Sequence, residues 1–288
     1  MVNVKLIPAL RDRTGAGMTD CKKALEACNN DVEKACDWLR ENGIAKAAKK
    51  SGRIAAEGLA RVAINGNDAA IVEVNCETDF VCANKEFQTL VQTIANAIVA
   101  GKPANMDEAN ALVTSTGETV ADLVVAATAK IGEKISFRRF SLLSKNDGDA
   151  FGTYLHAGGK KGSIVVTTNN NEEVAQQMAM QVVATVPQYN KKSEVPADYV
   201  EHELQIKIEA ANAQGRPLNE KAYVGMKNKI AEEVSLECQE YILEDKVKVG
   251  AYLASQHCDV TAFVYFIVGE GIEKRQEDFA AEVMSQIK

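Results

Sequence analysis

Residues 59–76 read LARVAINGNDAAIVEVNC, and this stretch decides the predicted fold class of the 288-residue chain. The Asn-Gly pair at 65–66 lies between two apolar, β-rich runs, which is the strongest short-range signal for a β-hairpin. We therefore predict strands over residues 59–65 and 69–76. A helix is predicted after them, because five apolar residues fall on one helical face: Phe87, Leu90, Val91, Ile94 and Ile98.

The same order of elements is predicted a second time in residues 150–186. AFGTYLHA and SIVVTT flank a GGKKG turn, and a helix follows in which Val174, Met178 and Val182 share one face. Strand, turn, strand and helix thus occur twice. We predict an α+β core of two antiparallel-sheet-plus-helix parts, the first at 55–146 and the second at 147–195, completed by a strand within 236–268.

Residues 196–235 interrupt the second part of the core with two helices around the break QGRP at 214–217. Narrow apolar seams predict an inserted antiparallel coiled-coil hairpin. The seams consist of Val200, Leu204, Ile208 and Ala211, and of Tyr223, Met226, Ile230 and Val234. A C-terminal helix, QEDFAAEVMSQI, is predicted within a last module at 269–288.

Residues 1–54 are predicted to hold three short helices followed by a basic linker. Cysteine and alanine recur at helical spacing at Cys21, Ala24 and Cys28, where cysteine packs as a small hydrophobe. Asn30 and Glu33 suggest a capping box for the third helix, and Gly43 suggests its end. The segment AKAAKKSGR that follows is interpreted as a solvated linker, with a small positive arm as the alternative. The three helices resemble a ubiquitin-associated-type bundle, which usually binds proteins.

Composition and spacing argue against several classes of function. The net charge of −7 disfavours direct binding of nucleic acid, and neither a secretory signal nor a membrane-length apolar run is present, so we expect a cytoplasmic protein. The seven cysteines form no CxxC pair, which favours reduced thiols. No catalytic or phosphate-binding motif appears, and GGKKGS at 158–163 is interpreted as a hairpin turn. We therefore expect no enzyme, metal or cofactor, although an assembled site around His156 stays open as an alternative.

Two segments carry a specific resemblance to a known family: LRDRTGAGMTDCKKAL at 10–25 and EVNCETDFV at 73–81. Together they resemble bacterial translation elongation factor Ts, the family of guanine-nucleotide exchange factors for elongation factor Tu. Shorter stretches agree with it, among them AKAAKK at 45–50, KIGEKISFRR at 130–139 and VGEGIEK at 268–274. The resemblance implies the ubiquitin-associated-like domain, two-part core, coiled-coil hairpin and C-terminal helix described above.

The resemblance also implies a partner-binding site for elongation factor Tu. In the family, the segment matching Thr78, Asp79, Phe80 and Val81 enters the GTPase near its magnesium and nucleotide, promotes GDP release and stabilises the empty GTPase until GTP binds. Other implied partner contacts are Met18, Thr19, Ile131, Gly132 and His156. The chain departs from many relatives at Thr19 and Cys82, and the first departure is expected to reduce the apolar contact there.

Four further alternatives remain open from the residues themselves. A phenylalanine after a strand usually packs in its own core, and Thr78 or Asp79 could begin the helix that contains Phe87. A general adaptor would bind its partner mainly through residues 1–45. The hairpin at 196–235 could also mediate a homodimer or a heterotetramer with the GTPase.

Overall fold

The computed structural model describes residues 2–215 and 219–273. Within them the chain is a mixed α+β protein with two small antiparallel sheets. The helices are α1 (Leu6–Thr14), α2 (Met18–Ala27), α3 (Val32–Lys50), α4 (Asp79–Ala83), α5 (Lys85–Gly101), α6 (Met106–Ala111), α7 (Val120–Ile131), α8 (Glu172–Thr185), α9 (Ala197–Ala213), α10 (Glu220–Glu233) and α11 (Val249–Ser255). The strands are β1 (Glu57–Asn65), β2 (Asp68–Cys76), β3 (Ser136–Ser144), β4 (Ala150–His156), β5 (Lys161–Thr167) and β6 (Val260–Ile267).

Contacts divide the chain into two compact units. The first combines Met1–Arg61, Val72–Phe140 and the segment that begins at Ile267, and the second combines Val62–Ile71 with Ser141–Phe266. One sheet has the strand order β1-β2-β3 and the other β4-β5-β6, so the strand-turn-strand pattern predicted twice is confirmed. The predicted domain limits after residues 54, 146, 195, 235 and 268 stay predictions.

The first hairpin has the bounds that its sequence predicts, to within two residues. Gly66 in the turn has φ 58°, a left-handed conformation that glycine adopts without steric cost. Strand β2 is the middle strand of its sheet, and its residues from Ala69 to Cys76 are all buried. Helix α5 follows with Phe87, Leu90, Val91, Ile94 and Ile98 buried, as predicted.

A buried carboxylate lies in the middle of β2. Glu73 has no exposed side-chain surface, and its two oxygens accept hydrogen bonds from Arg138 Nη1 at 3.0 Å and Arg139 Nε at 2.6 Å. Asn75 Nδ2 and the Gly269 N–H donate to the same carboxylate. Burial by itself would raise the pKa of Glu73, but these four donors hold it below its usual range. The carboxylate therefore binds β3 and the turn after β6 to β2.

The second sheet packs on α8 through a glycine. Strands β4 and β5 pair antiparallel with Ala150 opposite Thr167 and His156 opposite Lys161. The first three residues of GGKKG therefore lie in the hairpin connection, and its last two belong to β5. A Cβ atom on Gly152 of β4 would lie 1.8 Å from the carbonyl oxygen of Ala175 in α8. Only glycine permits this approach of helix to strand. The predicted face of α8, with Val174, Met178 and Val182, is buried in this core.

The N-terminal helices differ from prediction at the third helix. Helices α1 to α3 share a core of Leu10, Cys21, Ala24, Leu25 and Ala35. However, Asp31 caps α3 by accepting from the Lys34 N–H, so the predicted Asn30–Glu33 capping box is wrong. The helix also continues past Gly43 to Lys50, so most of the predicted linker is helical.

Packing explains why α3 continues. Gly43 is buried, and a Cβ atom there would lie 3.4 Å from the Cβ of Ala129 in α7. Burial of α3 against α7 outweighs the intrinsic cost of a glycine inside a helix, about 1 kcal/mol. Lys46 Nζ in the same basic stretch also pairs with Asp20 at 2.8 Å.

Helices α9 and α10 occupy the region predicted as an inserted hairpin and contact each other. Leu204 and Ile230 are buried, and the other predicted seam residues are half-buried, so the predicted apolar faces are confirmed. Lys207 Nζ pairs with Glu233 at 3.0 Å. Part of the predicted break at 214–217 and the predicted helix at 276–287 lie outside the described residues. Sequence reasoning missed α4, α6 and α11, which are short.

No helix within the described residues is long and apolar enough to cross a membrane. The seven cysteines all lie in described parts of the chain, and none forms a disulfide bond. Cys21 is fully buried in the N-terminal core and Cys28 and Cys36 pack against it, as their spacing predicts.

Candidate functional site

Residues 78–81, which we call the tip, follow β2 directly. They do not continue the strand as an extended loop: Thr78 is the N-cap residue of α4, a helix of five residues. Phe80 is 84% exposed, and Asp79 is exposed beside it. Val81 and Cys82 are buried on the inner side of the same turn. The tip therefore presents one aromatic ring and one carboxylate to solvent and fixes its other side in the protein.

The exposure of Phe80 shows that two of the open alternatives are wrong. The ring does not pack in its own core, where Phe87 is fully buried instead. Neither Thr78 nor Asp79 begins the helix that contains Phe87, because Asn84 caps it by accepting from the Glu86 N–H at 2.8 Å. An aromatic side chain with this exposure is typical of an interaction site when the backbone beneath it is well supported.

Two thiols lie under the tip. Cys76 and Cys82, at its two ends, are both buried with their Sγ atoms 3.5 Å apart. Cys76 Sγ donates to the Thr78 carbonyl at 3.2 Å, and Cys82 Sγ donates to the Gly58 carbonyl at 3.3 Å. Cys82 thus packs beneath the tip, whereas the ring of Phe80 is exposed.

Hydrogen bonds join the base of the tip to the turn between α7 and β3. The N–H and the hydroxyl of Thr78 donate to the two carboxylate oxygens of Glu133, at 3.0 and 2.7 Å. In the reverse direction, the N–H of Lys134 donates to the carboxylate of Glu77 at 2.5 Å. Arg53 Nη1 lies 3.3 Å from both oxygens of Glu77. The bonds of Thr78 to Glu133 and of Lys134 to Glu77 link residues that are 55 and 57 positions apart in sequence.

The structure brings two of the other predicted contact residues next to this network. Ile131 is the last residue of α7 and is half-buried. Gly132 is exposed with φ 88°, the left-handed conformation that ends α7, and its carbonyl accepts a hydrogen bond from Lys50 Nζ. Glu133, which follows them, was not predicted as a site residue because no local signal marks its contact with Thr78.

The remaining predicted residues lie elsewhere. Met18, 63% exposed, and Thr19 begin α2 instead of lying in a loop, with Gly17 as the N-cap residue. His156 ends β4 and is exposed, with its Nδ1 3.2 Å from the hydroxyl of Tyr154. It belongs to the second compact unit, whereas the tip, Met18 and Ile131 belong to the first.

The candidate site carries an exposed aromatic ring and an exposed carboxylate. Among the described residues, no group of three histidine, cysteine or acidic side chains is placed to hold a metal ion. A cavity of about 480 Å³ in the first unit is lined by residues of α3 and α7 such as Trp38, Asp122 and Ala129, and includes none of the predicted site residues. The tip projects, which suits insertion into a gap in a partner.

Comparison with known proteins identifies the family. The family model described as Elongation factor TS matches residues 77–270, and the model for the N-terminal region of mitochondrial elongation factor Ts matches residues 2–50. The chain is 47% identical over 284 residues to elongation factor Ts of Lacticaseibacillus casei, which covers 98% of this chain and 97% of that protein. The same values hold for elongation factor Ts of Lacticaseibacillus paracasei. The chain belongs to the elongation factor Ts family.

The resemblance seen in the two quoted segments is thereby confirmed over nearly the full length. The chain is accordingly a translation elongation factor of the nucleotide-exchange class and acts in protein biosynthesis. The tip lies at the start of the larger matching region, and Met18 and Thr19 lie in the N-terminal one. Which residues bind the partner of an elongation factor Ts chain is a separate question, to which the exposure of Phe80 is the most direct guide.

Proposed function

We propose that this chain binds the GDP form of elongation factor Tu and inserts Asp79 and Phe80 beside its magnesium and phosphate site. GDP then leaves, and the chain stabilises the empty GTPase until GTP binds. The observation that carries the proposal is a phenylalanine ring 84% exposed on a backbone that buried neighbours and hydrogen bonds support. Thr78 and Val81 are the other two residues of the proposed partner-binding tip, and Met18, Thr19, Ile131, Gly132 and His156 are the proposed further contacts.

The rigid support of the tip favours binding for a simple reason. A side chain that is ordered before binding loses less conformational entropy when a partner closes around it. A phenylalanine can bury about 150–250 Å² of surface, and aromatic residues of this kind dominate the energetics of many interfaces. Asp79 adds acceptor oxygens next to the ring. Together the ring and the carboxylate can contact apolar side chains and positively charged groups at the end of a helix in the partner.

Magnesium explains how such an insertion would release GDP. The ion requires near-ideal octahedral geometry at about 2.0–2.1 Å and neutralises phosphate charge. A shift of about one ångström in the elements that hold it weakens the binding of the nucleotide without breaking a covalent bond. Reciprocity requires that GDP weaken the binding of the exchange factor by the same factor. The chain is therefore proposed to act in the cytoplasm without enzymatic chemistry and without a cofactor of its own.

The direct test is GDP release from elongation factor Tu. We expect fluorescent GDP to dissociate faster as the full chain is added, and the rate to reach a plateau at saturating concentration. A binding measurement should show that excess GDP weakens the complex by the factor by which the chain weakens GDP binding. An unchanged release rate at concentrations where a complex forms would contradict the proposal, because it would leave binding without exchange.

We further propose that α1–α3 form the ubiquitin-associated-like domain and that α9 and α10 form the inserted coiled-coil hairpin. The half-buried seam between α9 and α10 supports the second assignment. The hairpin is proposed to serve self-association, as a homodimer or heterotetramer, or accessory contacts. It is not proposed to contact the nucleotide site, nucleic acid or a membrane.

Removal of the hairpin tests this assignment. We expect a chain in which residues 198–231 are replaced by a short Gly-Ser linker to retain most GDP-release activity, within about threefold, because the tip lies in the first compact unit. The deletion leaves Glu232, whose carboxylate pairs with Lys192 at 2.8 Å. Sedimentation of the factor alone and with elongation factor Tu would show whether self-association is lost. Complete loss of exchange by a folded deletion variant would show that the hairpin is part of the site.

A further inference from the structure

Thr78, the N-cap residue of α4, forms its side-chain hydrogen bond away from the helix that it precedes. An N-cap threonine normally accepts a hydrogen bond from the first turn of its helix. The side chain of Thr78 makes no such bond. Its hydroxyl and its N–H both donate to Glu133, at 2.7 and 3.0 Å. The direction of the tip is therefore set by a carboxylate from another part of the chain.

Helix α4 is too short to set that direction alone. It has five residues, and isolated helices shorter than about 12–15 residues are marginal in water. Its inner side is held by the burial of Val81 and Cys82. Its N-terminal end, next to Asp79 and Phe80, is held by the paired hydrogen bonds to Glu133. Bonds to a charged acceptor are stronger than neutral ones, so this attachment is the firmest polar contact of the tip.

We infer that Glu133 is a positioning residue for nucleotide exchange: it orients Asp79 and Phe80 through Thr78 and need not touch the partner. This inference rests on the proposed function of the tip. It assigns Thr78 a role inside the chain, because both of its donors are directed at Glu133. The bond from Lys134 to Glu77 runs alongside and stiffens the same connection.

Substitution of Glu133 by glutamine tests the inference with little change in size. The amide oxygen accepts from only one of the two Thr78 donors, and the hydroxyl stays bonded only if it reverses and accepts from the NH₂ group. Both charge-assisted bonds are therefore lost, even where neutral bonds replace them. We expect the acceleration of GDP release to fall roughly 5- to 20-fold. Glu86→Gln is the matched control, since it removes an exposed ion pair to Lys130 of α7, 2.8 Å long, without touching the tip. It should change release by less than about twofold.

A double substitution separates positioning from direct contact with the partner. A tip without its ring gains little from correct orientation. Glu133→Gln should therefore reduce exchange in a Phe80→Ala background by less than about twofold. If Glu133 touched the partner directly, Glu133→Gln would reduce exchange by the same factor in the parent chain and in Phe80→Ala. Equal factors would overturn the inference even if Glu133→Gln lowered exchange in the parent chain.

A third measurement does not depend on exchange. The Thr78 amide should exchange its hydrogen more slowly in the parent chain than in Glu133→Ala, because the carboxylate accepts from it and alanine has no side-chain acceptor. Thr78→Ser, which keeps the hydroxyl donor, should retain most activity, whereas Thr78→Val should lose as much as Glu133→Gln. Equal amide protection in parent and Glu133→Ala would refute the positioning role. If the parent chain fails to accelerate GDP release although the Thr78 amide is protected, the proposed function fails instead.

Discussion

Replacing Phe80 by alanine should remove most of the acceleration of GDP release while leaving the fold intact. The ring is 84% exposed, so its loss removes almost no packing from the chain itself. Aromatic residues at the centre of an interface typically contribute about 2–4 kcal/mol to binding. At 1.4 kcal/mol per factor of ten, this corresponds to roughly a 30- to 1000-fold loss at subsaturating concentration. Stopped-flow release of fluorescent GDP from elongation factor Tu measures it.

The control for Phe80→Ala is another exposed apolar residue in the same unit. Val113 is 67% exposed and lies outside every proposed contact. With Val113→Ala, elongation factor Tu should therefore release GDP at the rate seen with the parent chain. Thermal unfolding should show the same midpoint for the parent and both variants within about 2 °C, as expected for surface substitutions. A Phe80→Ala chain that is folded and fully active would show that the tip is not the site of insertion.

Replacing Glu73 by alanine should produce the largest loss of stability. The carboxylate is fully buried and accepts from two guanidinium groups, an amide and a backbone N–H. Removing one partner of a buried ion pair costs about 3–5 kcal/mol. Here the arginines are 28% and 31% exposed and can recover some hydration, so we expect about 3 kcal/mol. Urea unfolding at neutral pH measures this, and Glu118→Ala at an exposed position should cost less than about 0.5 kcal/mol.

The same carboxylate predicts a dependence of stability on pH. Its pKa is lowered in the folded chain from an ordinary value of 4.5, so the unfolded chain takes up the proton at higher pH than the folded chain does. The contribution of Glu73 is therefore complete above about pH 4.5 and is lost as the pH falls through the lowered pKa. Below pH 4.5 the free energy of unfolding should fall less steeply in Glu73→Ala than in the parent. Equal slopes would show that folding does not lower the pKa of Glu73.

Local chemistry was sufficient to predict much of the fold. The Asn65–Gly66 turn, the alternation of the strands on either side and the helical spacing of α5 and α8 concern residues close together in sequence. Their geometry follows from backbone preferences and from the need to bury one face. Departures occurred where distant packing competes with local preference, as at Gly43, whose contact with Ala129 lets α3 continue.

The candidate site likewise has a part that local sequence predicts and a part that only distant contacts decide. The motif EVNCETDFV at 73–81, which contains Phe80, could be found from sequence, since it resembles a family signature, but residue patterns alone favoured a buried ring. Whether that ring faces solvent depends on Phe87 filling the core and on Glu133 holding Thr78 from 55 positions away. Glu73 and its two arginines are likewise 65 and 66 positions apart. Such pairings carry no periodic signal along the chain, because they arise from the way strands and turns meet after folding.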